Sequence, residues 1–451
     1  MKNDILAVTV MAVGSEGEGI ARREDGYTYF IPGALPGDQA EILVLKENKS
    51  YGYGKLLRLI EPSPHRVEAS CAVFGKCGGC TLLSADYGFQ LELKRRTVVD
   101  ALERIGGFDG SIVAQCVPSE PELGYRNKAQ YPVVNSGNGL VFGFYAPRSH
   151  RVTPCDDCRL QDPELNLIAA EIAAWAGENK IPAYDETSGR GCLRHIYVRR
   201  GRDEVMAVLV AAFRPKKIET LADRLCGKFP RLVGLVLNHN SKNTNTILGD
   251  KQELVWGRDY IVDNIGDVKY KINYRSFYQV NPYTTKKLYD RVRELCALTG
   301  NEEVFDLYCG TGTIGLYLAD SAKKVTGIEI VPQAVENARE NAFMNRIENA
   351  EYYCGKAEEL CPKLAENGTR ADVVVLDPPR KGCERPLLEA AAKMDPERIV
   401  YVSCNPSTMA RDCAVLRELG YELTEATPFD QFPHTAHVEC VSLLSRRSSW
   451  R

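Results

Sequence analysis

From about residue 300 onward, short, mostly apolar runs alternate with longer segments whose apolar residues recur every three or four positions. The first pattern predicts buried strands and the second amphipathic helices. Strand Val304–Tyr308 runs into the loop Cys309-Gly-Thr-Gly-Thr-Ile-Gly315 and a helix, and strand Lys324–Ile330 leads to helix Pro332–Asn345. Strand Asp372–Leu376 leads to helix Arg385–Met394, and strand Ile399–Ser403 to helix Ser407–Leu419. A last run, Val438–Leu444, fits an edge strand. Such alternation predicts an α/β, Rossmann-like domain on a doubly wound, mainly parallel sheet.

The start of the chain has a shorter period. Runs at Leu6–Val10, Tyr27–Ile31 and Ala40–Leu45 are separated by turns at Gly14–Gly17 and Pro36–Asp38, which predicts a small β-barrel. Glu61-Pro-Ser-Pro64 reads as a linker, because each proline restricts itself and the residue before it. The stretch from about 65 to 270 is mixed, with helices expected at Tyr87–Ile105 and Pro163–Ala176 and strands at Glu204–Ala211 and Leu232–Leu237. Three regions are expected: a barrel over 1–62, a central α/β domain over 63–270, and an α/β catalytic domain over 271–451.

Composition narrows the class. A chain of 451 residues, 44% hydrophobic and 26% charged, is expected to be globular and multidomain. No apolar run is long enough to cross a bilayer, and Met1-Lys-Asn-Asp-Ile-Leu lacks the apolar core of a secretory signal, so a cytoplasmic location is expected. With a net charge of −3, a nucleic-acid partner would have to be held by local basic groups. The candidates are Lys94-Arg95-Arg96, Arg126-Asn-Lys128, and Arg194 with Arg199, Arg200 and Arg202, each of which could equally be a solvated face.

The Asp306-Leu-Tyr-Cys-Gly310-Thr-Gly312-Thr313 loop joins a strand to a helix, where glycines allow close backbone approach to a ligand. Glu329 ends the next strand, at the distance where an acidic residue meets ribose hydroxyls. The Asp-x-x-x-Gly-x-Gly opening and the later strand end Asp377-Pro-Pro favour S-adenosylmethionine. Ser403-Cys404-Asn405-Pro406 sets a cysteine between a buried strand and a helix start, which favours the thiolate. Carbon 5 of uracil is a poor nucleophile until a thiolate adds to carbon 6, and a base must then remove the carbon 5 proton. Cys404 is the candidate nucleophile and Glu439, after His434-Thr-Ala-His437-Val, the candidate base. The two histidines fit substrate or supporting contacts better than a metal pair, since no third ligand is near in sequence.

Sixteen cysteines are many for a reducing compartment. The tight, glycine-rich Cys71-x5-Cys77-x2-Cys80 spacing favours a metal or iron–sulfur cluster, with zinc as the rival ion and Cys155 or Cys158 as the fourth ligand. The spacing is not that of radical S-adenosylmethionine enzymes.

Over nearly its whole length the chain resembles bacterial RNA uracil-C5 methyltransferases, which act on ribosomal or transfer RNA. The N-terminal region is similar to a TRAM domain, a small RNA-binding barrel. The resemblance implies a [4Fe–4S] cluster on Cys71, Cys77, Cys80 and Cys158, the last chosen because Cys158-Arg-Leu160 matches the family's fourth ligand. Leu193-Arg-His-Ile196, Asn238-x-Asn240 and Ser276-Phe-Tyr-Gln279 are further family marks. The resemblance places Gln279, Tyr308, Thr313, Glu329 and Asp377 on S-adenosylmethionine, and makes Cys404 the nucleophile and Glu439 the base. Lys356 departs from the family, which often has Asp or Asn there. The implied substrate is a flipped uridine of 23S rRNA, with Phe277 or Tyr278 as candidates to stack near it, and a monomeric enzyme is expected. The alternatives are a tRNA uracil-C5 methyltransferase, a methyltransferase acting on exocyclic amines, and a non-catalytic iron–sulfur RNA-binding protein.

Overall fold

A computed structural model describes residues 3–137 and 139–447. Met1 and Lys2, which open the N-terminal stretch read above, lie outside the described residues. The chain forms two compact units. The first collects Met1–Glu120, Pro378–Ala392 and Arg398–Arg451; the second is Pro121–Asp377 with Lys393–Glu397.

The first unit opens with a closed five-stranded barrel, Ile5–Val13, Gly19–Arg22, Thr28–Ile31, Gln39–Glu47 and Tyr51–Glu61. Its interior is Val10, Ala21, Tyr29, Ile31, Ala34, Ile42 and Val44. The last strand alternates Tyr51-Gly-Tyr-Gly54, with the glycines turned inward. A Cβ at Gly52 would lie 2.8 Å from the Lys46 carbonyl oxygen and 2.9 Å from the Tyr29 ring, so only glycine closes the barrel there. The expected helix at Tyr87 runs to Ala101 and continues as one π-turn, Leu102–Gly106, which ends where Gly107 turns left-handed at φ 64°. Strand Arg398–Ser403 pairs antiparallel with Glu439–Arg446, which pairs antiparallel with Tyr421–Phe429. Helix Pro406–Glu418 packs on this group and against helix Tyr87–Ala101.

The second unit holds a seven-stranded sheet in the order Lys251–Gly257, Leu232–His239, Val205–Ala211, Leu193–Arg200, Lys128–Ser136, Gly139–Tyr145, Val152–Pro154. Helices Pro163–Glu178 and Ile218–Lys228 bury their apolar sides in the core of this sheet. Four parallel strands follow in the order Ala350–Cys354, Lys324–Glu329, Glu303–Leu307, Val373–Leu376. Helices Thr313–Leu318, Pro332–Met344 and Ala357–Glu366 connect them, giving the expected α/β architecture. Helix starts follow a local rule: Asp162-Pro163, Asn281-Pro282 and Asn405-Pro406 each place a capping side chain before a proline that needs no amide partner.

Candidate active site

In the second unit, three chain reversals shape the loop after strand Glu303–Leu307. Tyr308, Gly310 and Gly312 have φ of 63°, 54° and 76°. Tyr308 holds a conformation that L-residues with a Cβ rarely adopt, and its hydroxyl donates to Glu358 Oε1 at 2.7 Å. Gly312 cannot carry a side chain, since a Cβ would lie 2.6 Å from the Tyr352 hydroxyl, whereas Gly310 has nothing within 4 Å. The Gly310 amide donates to Glu329 Oε2 at 3.1 Å, and Glu329 Oε1 accepts from the Val331 amide at 2.8 Å. Thr313 shares a 2.8 Å hydrogen bond with the Tyr289 hydroxyl.

Asp306 lies beneath this loop and is 1% exposed. One oxygen accepts from the Gly315 amide at 2.8 Å, and the other, Oδ1, has no hydrogen-bond partner. Burial pushes the Asp306 carboxyl up to about 7, helped by the charges of Asp377 and Glu329. Burial likewise raises Asp377 to about 7. Three carboxylates thus stand at the carboxyl ends of three neighbouring parallel strands, the place where open α/β sheets bind ligands. Such a cluster favours a ligand with positive charge. Asp306 opens the glycine loop in the sequence, but nothing in the sequence alone marks its place among other carboxylates; the neighbouring like charges appear only once the strands are ordered. Gln279 is held from behind: Asn127 Nδ2 donates to its carbonyl at 3.0 Å, and the buried Arg199 donates to the carbonyls of Asn273 at 2.7 Å and Ser276 at 2.9 Å.

In the first unit, Cys404 lies between strand Arg398–Ser403 and helix Pro406–Glu418. Asn405 caps the helix by accepting from the Ser407 amide at 3.1 Å, and its Nδ2 donates to the Arg380 carbonyl at 3.0 Å. The Ser403 hydroxyl donates to the Asn405 carbonyl at 3.0 Å. Buried Asp412 accepts from the Cys383 amide at 2.7 Å and the Tyr401 hydroxyl at 2.6 Å, fixing the loop that follows Pro378-Pro379. The antiparallel register ends at Ser403 opposite Cys440. Cys404 follows Ser403, and Glu439, which precedes Cys440 on the partner strand, is 5% exposed. Cys404 itself lies in the turn between the strand and the helix, and Glu439 begins the partner strand. His434 has φ 66°; its amide donates to Gln90 Oε1 at 2.9 Å, and its carbonyl accepts from the Thr81 and Leu82 amides, each at 3.0 Å. It therefore shapes the segment that leads to Glu439.

The sequence model of the tRNA (uracil-5-)-methyltransferase family matches residues 244–447, and that of the TRAM domain residues 1–57. A protein of Halalkalibacterium halodurans, named an uncharacterized RNA methyltransferase, is 46% identical over 99% of this chain and 98% of its own length. The chain belongs to the RNA (uracil-5-)-methyltransferase family. A Clostridium tetani protein, also named an uncharacterized RNA methyltransferase, is 43% identical over 98% of this chain and 97% of its own. The crystal structure of Pyrococcus abyssi tRNA (uracil-54, C5)-methyltransferase with S-adenosyl-L-homocysteine is similar at a TM-score of 0.79 and 28% identity, over 97% of this chain and 100% of that one. The fold is the α/β methyltransferase fold with an N-terminal TRAM barrel.

Other expected sites of this methyltransferase fare differently. Cys71, Cys77 and Cys80 lie in the first unit and Cys155 and Cys158 in the second. Among the described residues, no three His, Cys, Asp or Glu side chains gather into a set that could hold a metal ion. The chemistry of the donors still suits a metal: Cys77 Sγ accepts from the Gly79 amide at 3.3 Å, and a hydrogen bond from Cys155 pulls the Cys158 thiol down to about 6. The basic groups are not simple surface patches, since Lys94, Arg194 and Arg199 are each at most 4% exposed. Tyr278 is 4% exposed with its hydroxyl on Asp263, whereas Phe277 is 75% exposed. Lys356, which departs from the family pattern, pairs with Glu359 at 2.9 Å. Among the described residues, no helix is long and apolar enough to cross a membrane.

Proposed function

We propose that this enzyme methylates carbon 5 of uracil in 23S rRNA, with S-adenosylmethionine as donor. The observation that supports the reading is the strand pair that ends at Ser403 opposite Cys440, with Cys404 and Glu439 the neighbouring residues in sequence. When bound, S-adenosylmethionine supplies an electrophilic methyl group on a sulfonium. Gln279, Tyr308, Thr313, Glu329 and Asp377 would hold it, and the carboxylates of Asp306, Glu329 and Asp377 suit its positive charge. The Cys404 thiolate adds to carbon 6 and makes carbon 5 nucleophilic. Once carbon 5 carries the methyl group, Glu439 takes its proton and the carbon 6–sulfur bond breaks, returning the thiolate. The uridine must leave its stack to reach the thiol, and exposed Phe277 is suited to stacking on a base. On the barrel, Phe30, Tyr51 and Tyr53 form a ring cluster with centroids 5.8 to 6.0 Å apart, a second platform for bases.

Ribosomal RNA is favoured by the pairing of a TRAM barrel with the cysteine motif. A second reading, transfer RNA, is favoured by the likeness to the Pyrococcus abyssi enzyme along the whole chain. A [4Fe–4S] cluster is part of the proposal, supported by the Cys71-x5-Cys77-x2-Cys80 spacing of the sequence. Iron and sulfide content of anaerobically purified protein tests it, with a Cys77→Ser variant beside it.

The deciding experiment is tritium release from RNA labelled at uracil carbon 5, run with unmodified 23S rRNA and unmodified tRNA. Release that vanishes in Cys404→Ala establishes the chemistry, and the responding RNA gives the substrate. Methyl transfer without release, persisting in Cys404→Ala, would move the assignment to an exocyclic amine.

A further inference from the structure

The second unit contains a cavity of about 340 Å³ that the methyl-transfer chemistry does not use. Its floor comes from an irregularity in the central sheet. Leu193 pairs with Ala211 and His195 with Val210, which leaves Arg194 as an extra, unpaired residue. A β-bulge of this kind breaks the alternation of side chains, so Arg194 and His195 both line the same cavity.

Each is 4% exposed, and each carries a buried nitrogen without a hydrogen-bond partner, Nε of Arg194 and Nδ1 of His195. The rest of each side chain is fixed. Arg194 Nη1 donates to the carbonyls of Asn240 at 3.2 Å and Lys242 at 2.6 Å, and its guanidinium lies 4.4 Å from the Tyr184 ring centroid. His195 Nε2 is 3.3 Å from the Tyr145 hydroxyl. Burial, then the neighbouring Arg194, pushes His195 down to about 4, so its ring is neutral and offers one donor and one acceptor. Glu186 faces the cavity 3.8 Å from Arg194 and is held by His150 at 2.7 Å. Arg194, His195 and Glu186 line this one cavity together with the rings of Tyr145, Tyr184 and His150, a charged and aromatic set suited to a flat polar ligand.

The required ligand is flat, accepts hydrogen bonds along one edge and donates along another. Guanine fits: its O6 and N7 accept from arginine and imidazole N–H groups, and its N1–H and amino group donate to a carboxylate. Tyr145, Tyr184 and His150 supply ring faces of the kind that receive unstacked RNA bases. We propose that this cavity binds one unstacked guanine of the RNA substrate, a base other than the methylated uracil, and so sets which RNA is accepted. The proposal rests on RNA being the substrate.

The test uses the full-length protein and fluorescein-labelled pentaribonucleotides UUGUU, UUAUU, UUCUU and UUUUU, read by anisotropy. UUGUU is expected to bind at least about fivefold more tightly than the others. His195→Phe and Tyr184→Ala should each abolish that preference, and should raise KM for methyl transfer about tenfold with kcat retained. Circular dichroism reports folding, and should His195→Phe fail to fold, Tyr184→Ala on its partly exposed loop decides. Equal binding of all four oligomers by the wild type, or a guanine preference that survives in a folded variant, overturns the proposal. Loss of the preference without any methyl transfer to carbon 5 by the wild type would instead overturn the uracil reading and leave the guanine pocket standing.

Discussion

Two sets of acidic side chains, one in each compact unit, are treated in opposite ways. In the barrel-bearing unit, Lys94 and Asp430 are buried together, and Lys94 Nζ also donates to the Phe432 carbonyl at 3.0 Å. Asp38 is likewise answered, by Arg66 at 2.6 Å. In the other unit, buried Asp306 and half-buried Glu329 and Asp377 end three neighbouring strands, and among the described residues no lysine or arginine pairs with any of them. Matched charges hold segments that are distant in sequence. Unmatched like charges oppose one another, and a fold retains them where a ligand completes the balance. Glu439 is a third case, a shielded carboxylate at the start of the strand that pairs with Arg398–Ser403.

The largest effect is expected where a carboxylate serves chemistry. Glu439→Gln should lower methyl transfer by about 10²–10⁴-fold. It should also leave RNA covalently attached at Cys404, because the carbon 5 proton stays in place; a denaturing gel shows the adduct. A Glu439→Gln enzyme with normal turnover would remove Glu439 from the mechanism. Next comes the matched pair. Asp430→Ala strands the Lys94 ammonium in the interior and should cost about 3–5 kcal/mol in urea unfolding. A loss below about 1 kcal/mol would mean that Lys94 escapes to solvent or sheds its proton. The opposite sign is expected for Asp306→Asn. That variant removes a carboxyl that burial disfavours when charged, so the ligand-free protein should gain on the order of 2 kcal/mol at pH 8. Its affinity for S-adenosylmethionine should fall at the same time. Loss of both stability and affinity would show Asp306 to be structural, like Asp430.

Much of this contrast was legible before folding, and the illegible part has a physical cause. The strands around 304, 324, 372 and 399 are buried on both faces, so their mostly apolar runs stand out. Strand Ala350–Cys354 buries only Tyr352, and its mixed sequence carries no such signal. Tyr421–Phe429 starts with alternating exposed residues and carries no clear apolar run either. Cys404 was marked by its neighbours Ser403, Asn405 and Pro406, which do cap the helix and fix the turn. The roles of Asp306 and of Arg194 with His195 depend on strand order and on a bulge, which appear only when separate strands pair. Lys94 and Arg199 show the converse, since basic residues read as possible RNA patches are buried anchors.

The smallest effect tests the unmatched cluster most directly. Asp306 and Asp377 are both raised to about 7 from an ordinary value of 3.8. A carboxyl raised on folding contributes its full stability below 3.8 and loses it as pH rises through 7, so these two groups weaken the ligand-free protein across that window. A bound cation reverses the balance by favouring their ionised forms. S-adenosylmethionine carries a sulfonium and S-adenosylhomocysteine does not, while the amino acid portion is common to both. Their affinity ratio, measured by calorimetry, should therefore rise by roughly tenfold between pH 6 and pH 8 in favour of the sulfonium. Asp377→Asn should flatten that rise without abolishing it, because Asp306 still titrates. A ratio that stays level across this range in the wild type would show that the carboxylates do not sense the sulfonium charge, and the contrast between the two units would then reflect packing alone.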